Sequence, residues 1–149
     1  MPGYKAHIIT AGAVAGGSLY GLAYFDYFHA DPMVMAVLVA ICLMAALFPD
    51  VDTCSVGRKL FYGLLAGTDV VLMVNGEYEW AAILGFFAML PAIDNHRGWT
   101  HTWWGALLVP LPIIALPMFF YKFDWQPLLP FYVAAVVGYF SHLALDKAA

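Results

Sequence analysis

Charge is what this sequence has least of. Only 11% of its 149 residues are Asp, Glu, Lys or Arg, against roughly 25% in ordinary soluble domains. That is too little polar surface to cover a water-exposed globule, which excludes a soluble domain. Six basic residues against ten acidic ones, for a net charge of -4, leave no electrostatic footprint for nucleic acid. Cysteine is also scarce: Cys42 lies in an apolar run and Cys54 in a polar loop, which does not make a disulfide framework. No stretch is polar or low-complexity enough for disorder. What remains is apolar. Hydrophobic residues make up 64% and aromatics 17%, with a mean hydropathy of +0.80. The chain is an integral membrane protein, read as one helical domain over residues 1–149.

About twenty apolar residues cross a bilayer as a helix. Six apolar runs are present, over residues 8–25, 33–48, 60–74, 80–90, 103–121 and 128–145. The expected fold is therefore all-α, a polytopic bundle of about six transmembrane helices. The first run carries Gly12/Gly16 and Gly17/Gly21, two small-xxx-small pairs suited to close helix packing in lipid. It follows Lys5 as a signal peptide would, but no small-x-small cleavage site follows it, so it is expected to stay as the first membrane helix. The fourth run is short, at about 16 Å of helix rise, and is expected to be partly sunk against its neighbours. The third contains Asp69, expected to be a structural acid near Thr68 or a neighbouring helix.

Loop charges give an orientation. With a cytoplasmic N-terminus the inner segments hold Lys5, Arg58, Lys59, Arg97 and Lys147, and the outer loops hold only Lys122 among the basic residues. That asymmetry is what the positive-inside rule requires. Tyr24, Tyr27, Tyr78, Trp80, Tyr121 and Trp125 then form an outer aromatic belt, with Trp99, Trp103 and Trp104 at the inner boundary.

The same topology sorts the polar residues. The inner side receives His7, Asp50 and Asp52 after the second helix, Asp94, His96, Arg97, Thr100 and His101 between the fourth and fifth, and Ser141, His142 and Asp146 at the end of the sixth. Four of the five histidines converge on one face, and His29 falls outside it. Imidazoles and carboxylates without thiolates suit catalytic zinc, manganese or iron. His142 and Asp146 are four apart and share a helix face. His96 and His101 flank a loop that Gly98 allows to turn tightly. Each piece also has an ordinary explanation: a turn and helix cap for Pro49-Asp50-Val51-Asp52, a basic anchor loop around Arg97, a solvated flank at His7, a snorkelling pair at His142 and Asp146. None of these explains the convergence, and ionisable groups are expensive in membrane segments.

Together, His7, Phe48-Pro49-Asp50-Val51-Asp52, His96-Arg97-Gly98-Trp99-Thr100-His101 and Gly138-Tyr139-Phe140-Ser141-His142-Leu143-Ala144-Leu145-Asp146 resemble the YdjM-like family of membrane-bound metal-dependent hydrolases. The resemblance spans nearly the whole chain. Its motif style is similar to that of zinc-dependent phospholipase C and P1-type nucleases. It implies a hydrolase in a prokaryotic inner (cytoplasmic) membrane, plausibly acting on phosphoesters. It marks His7, Asp50, Asp52, His96, His101, His142 and Asp146 as the metal set, for one or two divalent ions, zinc before manganese or iron. It departs after Asp146, where family members commonly continue with a threonine and more apolar sequence.

The expected chemistry is metal-assisted hydrolysis of a phosphoester such as a phospholipid headgroup, at the inner end of the bundle. Asp52 would orient or deprotonate the attacking water and Arg97 would hold the phosphate. Thr100 and Ser141 would orient ligands from behind. Two other classes use the same residues. A divalent-metal or proton transporter would need polar groups through the full bilayer depth, where little besides Asp69 stands. An accessory subunit binding haem or a pigment would place histidines mid-helix, not at helix ends and in a loop.

Overall fold

The computed structural model describes residues 3–51, 56–89 and 99–148, and the regular elements among them are all helical. In chain order they are α1 (Tyr4–Tyr24), α2 (Pro32–Leu47) continued by a 3-10 turn (Phe48–Asp50), α3 (Val56–Val74), α4 (Tyr78–Met89), a 3-10 turn (Trp99–His101), α5 (Trp103–Leu108), α6 (Pro112–Tyr121), a further 3-10 turn (Gln126–Leu128) and α7 (Leu129–Ala148).

Local chemistry sets several boundaries. Asp31 caps α2, its carboxylate accepting from the Met33 N–H at 2.8 Å, and Pro32 takes the first helical position, where a missing N–H costs nothing. Pro49 lies two residues past the end of α2, which tightens into the 3-10 turn that carries Asp50. Thr102 caps α5 through Gly105 N–H. Pro110 and Pro112 then interrupt the 103–121 run, dividing it into α5 and α6 with a turn between.

Among the described residues, four segments are long and apolar enough to cross a bilayer: Tyr4–Tyr24, Pro32–Asp50, Trp103–Tyr121 and Gln126–Ala148. They correspond to the first, second, fifth and sixth of the six apolar runs. The other two fall short for different reasons. α3 has the length, but carries Arg58 and Lys59 in its first turn and Asp69 further on; α4 has only 12 residues, about 18 Å of rise. The two form a hairpin, held by the Tyr62 hydroxyl donating to the Ala88 carbonyl at 3.1 Å. Large apolar side chains point outward all round the bundle, Ile9, Val74 and Phe119 among them at more than 70% exposure. In water such a surface would aggregate; in lipid it is the solvated face.

The centre of the bundle is a packed trio of α1, α2 and α7. Small residues allow the approach: Ala11 and Ala15 on α1, and Cys42 and Ala46 on α2, are all buried. The closest contact is at Gly138 of α7, where a β-carbon would collide with the Cys42 backbone. Among the described residues, the small-residue pairs expected to pack on α1 do not do so. Nothing approaches Gly16, Gly17 or Gly21, and Gly12 meets only the tip of Leu43. The helix turns its alanine edge inward instead. Below this layer Leu47, Phe48, Val51, Phe61, Ala106, Tyr139 and Leu143 form a second cluster, which closes over the end of the bundle where the polar residues lie.

Candidate metal centre

Four separate elements deliver the polar residues to one place. The first turn of α1 brings His7, the 3-10 turn after α2 brings Asp50, the turn at Trp99–His101 brings His101, and the last turns of α7 bring His142 and Asp146. Of the sequence-marked set, these five are described. Asp52, His96 and Arg97 lie outside the described residues, as do Asp94 and Cys54.

His7 and His142 are buried, at 1% and 0% exposure, and their rings stack at 3.9 Å between centroids. His142 Nδ1 lies 2.8 Å from the Ala46 carbonyl. A carbonyl only accepts, so Nδ1 carries the proton and the Nε2 lone pair is left facing the site. His101 Nδ1 lies 3.4 Å from Thr100 Oγ1, and its Nε2 also faces inward. The arriving carboxylates sit at matching distances. Asp50 Oδ1 is 3.5 Å from His101 Nε2 and 3.6 Å from His142 Nε2, and Asp146 Oδ2 is 3.7 and 3.5 Å from the same two atoms.

Those separations decide what the cluster can do. They exceed the roughly 2.7–3.2 Å of an N–H···O hydrogen bond. Ligands held about 2.0–2.2 Å from a tetrahedral ion are separated by about 3.4 Å along each edge. Asp50, His101, His142 and Asp146 each offer an atom to a group that spans no more than 4.8 Å, and such a group could hold a metal ion. His101 Nε2 and His142 Nε2 are buried with no hydrogen-bond partner among the described residues. Polar atoms buried without partners are costly, and a cation in their midst would satisfy both. The residues present fit a divalent metal.

The supports behind the ligands are partly those expected. Thr100 stands behind His101. Ser141 does not serve the histidines, since its hydroxyl donates to the Gly138 carbonyl one turn back, at 2.7 Å. Tyr139 stands inside the family-like motif, which by itself assigns it no role. Fully buried, it donates its hydroxyl to the Thr100 carbonyl at 2.6 Å and so pins the His101 turn to α7. Its spacing of three from His142 on a helix was the available signal. Gly105 lies against the same hydroxyl and the Trp99 carbonyl, too close to admit a side chain. Tyr139→Phe is expected to cost about 1–3 kcal/mol by leaving the Thr100 carbonyl unpaired, and to weaken metal affinity about tenfold through a looser His101. Thermal unfolding in detergent and a metal titration read the two effects separately.

Elsewhere, His29 pairs with Asp26 at 3.4 Å in the exposed loop at the far end, as its exclusion from the inner set requires. Asp69 does not pair with Thr68, whose hydroxyl donates to the Leu64 carbonyl. Cys42 is a buried free thiol. An apolar groove of about 630 Å3 between α2, α3, α4, α6 and α7 reaches Phe48 and Tyr139, immediately beside the cluster.

Apolar helices with outward-facing side chains, and histidines and carboxylates from four elements gathered in one cluster, define an integral membrane protein with a centre that could hold a metal ion. The sequence of residues 4–148 matches the family of the YdjM inner membrane protein, and the chain belongs to that family. No curated protein and no solved structure matches it.

Proposed function

We propose that this chain is a membrane-embedded metal-dependent hydrolase of a phosphoester, such as a phospholipid headgroup, acting at the cytoplasmic face of the inner membrane. The observation that carries the proposal is the half-buried cluster itself: two buried imidazole nitrogens without hydrogen-bond partners among the described residues, set 3.5–3.7 Å from two carboxylates. Asp50, His101, His142 and Asp146 would hold the ion, with zinc favoured over manganese or iron by the mixed nitrogen and oxygen donors. The bound ion supplies Lewis acidity toward a phosphoryl oxygen and makes water a better nucleophile at neutral pH. Asp52 would orient or deprotonate the attacking water and Arg97 would hold the phosphate through its planar fork. Phospholipase C and P1-type nucleases, whose motif style this sequence resembles, supply the reaction class.

A lipidic substrate is supported by the groove that reaches Phe48 and Tyr139, which gives an acyl chain a path beside the site. The proposed topology has six crossings, the α3–α4 hairpin entering the bilayer with Arg58 and Lys59 snorkelling to its cytoplasmic surface. The positive-inside asymmetry supports the cytoplasmic N-terminus. Full-length protein in detergent should contain stoichiometric zinc, manganese or iron by elemental analysis. It should release phosphorylated headgroup or phosphate from a phospholipid mixture, stop on chelation and recover when the metal is restored. Protein that is folded but takes up none of the three metals would sink the proposal.

A further inference from the structure

The carboxylates of the centre have two sides, and the four-residue cluster uses one of them. Asp50 Oδ1 and Asp146 Oδ2 face His101 and His142. The opposite oxygens face His7: Asp50 Oδ2 lies 3.8 Å from His7 Nε2, and Asp146 Oδ1 lies 3.5 Å from it. His7 is 1% exposed. Neither of its ring nitrogens has a hydrogen-bond partner among the described residues, nor does Asp146 Oδ1. As in the first cluster, a buried Nε2 without a hydrogen-bond partner among the described residues faces both carboxylates, here from their other side.

We infer that His7 Nε2, Asp50 Oδ2 and Asp146 Oδ1 form a second divalent-cation position, so that Asp50 and Asp146 bridge a pair of ions. The inference rests on the metal-binding centre proposed above and adds a site to it.

Two alternatives are less consistent with the distances. A hydrogen-bonded His7–carboxylate pair would close to about 2.7–2.9 Å, well short of what is seen. If His7 were a fifth ligand to the first ion, its nearest carboxylate oxygens would be those that face His101 and His142; they are the other two. Carboxylates shared through both oxygens suit ions about 3.5–4 Å apart, the separation of two-metal hydrolytic sites.

The two positions differ in kind. The first has four protein donors among the described residues and the second has three.

The test is a count of ions and a measurement of their coupling. Full-length protein in detergent is stripped with chelator, reloaded with Mn2+ and freed of excess, then assayed by elemental analysis and electron paramagnetic resonance. Two Mn2+ per chain with a spin-coupled spectrum are expected, falling to one uncoupled Mn2+ in His7→Ala. His7→Gln, which keeps a polar side chain of similar reach, provides a second variant should the alanine form not fold. One uncoupled Mn2+ in the wild type overturns the second position and leaves the first standing. No Mn2+ or Zn2+ in folded wild type overturns the centre beneath it. Two ions that persist, still coupled, in both His7 variants overturn the assignment to His7.

Discussion

His142→Asn is expected to empty the centre while leaving the fold in place. An asparagine amide can still donate to the Ala46 carbonyl, which His142 Nδ1 contacts at 2.8 Å, but it presents no lone pair where Nε2 stood. That nitrogen is one of the two unpartnered imidazole donors of the four-residue cluster. Removing groups that merely support metal ligands costs 10- to 100-fold in affinity, so loss of a ligand is expected to cost at least on the order of 100-fold. Phosphoester hydrolysis falls with it. Bound metal by elemental analysis, with thermal unfolding as the control for folding, checks the outcome. Wild-type metal content in the variant would place the ion elsewhere. The comparison variant is His29→Asn, in the exposed loop at the far end, for which unchanged metal content is expected.

Gly138→Leu is expected to be the most destabilising single change in the bundle. A β-carbon there would fall on the carbonyl, carbonyl carbon and α-carbon of Cys42. These are backbone atoms, with no rotamer to yield, so α2 and α7 must separate. Overpacking a well-filled core costs about 1–3 kcal/mol for added methylenes, and four added carbons against a backbone will exceed that range. Gly138→Ala already belongs in it. The damage also reaches the site, because α2 leads into Asp50 and α7 carries His142 and Asp146. Lower thermal stability in detergent and weakened metal binding are expected together. Gly16→Ala and Gly17→Ala, where nothing lies within 4 Å, should leave both unchanged. If Gly138→Leu melts like wild type, α2 and α7 are not in contact at that point.

These two expectations draw on different kinds of information. His142 was marked from sequence: a histidine four residues before an aspartate on a helix, within a family-like motif, in a chain with few ionisable groups to spare. Gly138 was not. The sequence offers more conspicuous glycines in α1, and their regular spacing suggested the tight interface there. Which glycine meets a backbone depends on helix rotation, and rotation is set by the whole trio of α1, α2 and α7. No local pattern carries that information.

The same distinction runs through the site. Composition alone required a membrane environment, because 11% charged residues cannot cover a soluble surface. Alternation of the apolar runs then sent His7, Asp50, His101, His142 and Asp146 toward one end, since every second connection returns to the same side. Only the tertiary structure decided that each of the three histidines comes within 4 Å of both carboxylates, and that each carboxylate turns one oxygen to His101 and His142 and the other to His7. The role of Tyr139 was decided there too: the Thr100 carbonyl it binds is 39 residues away in sequence. A hydropathy pattern fixes which side of a membrane a residue reaches. The directions of its polar atoms follow from how the helices turn and pack, a property of the assembled chain that is absent from any one segment.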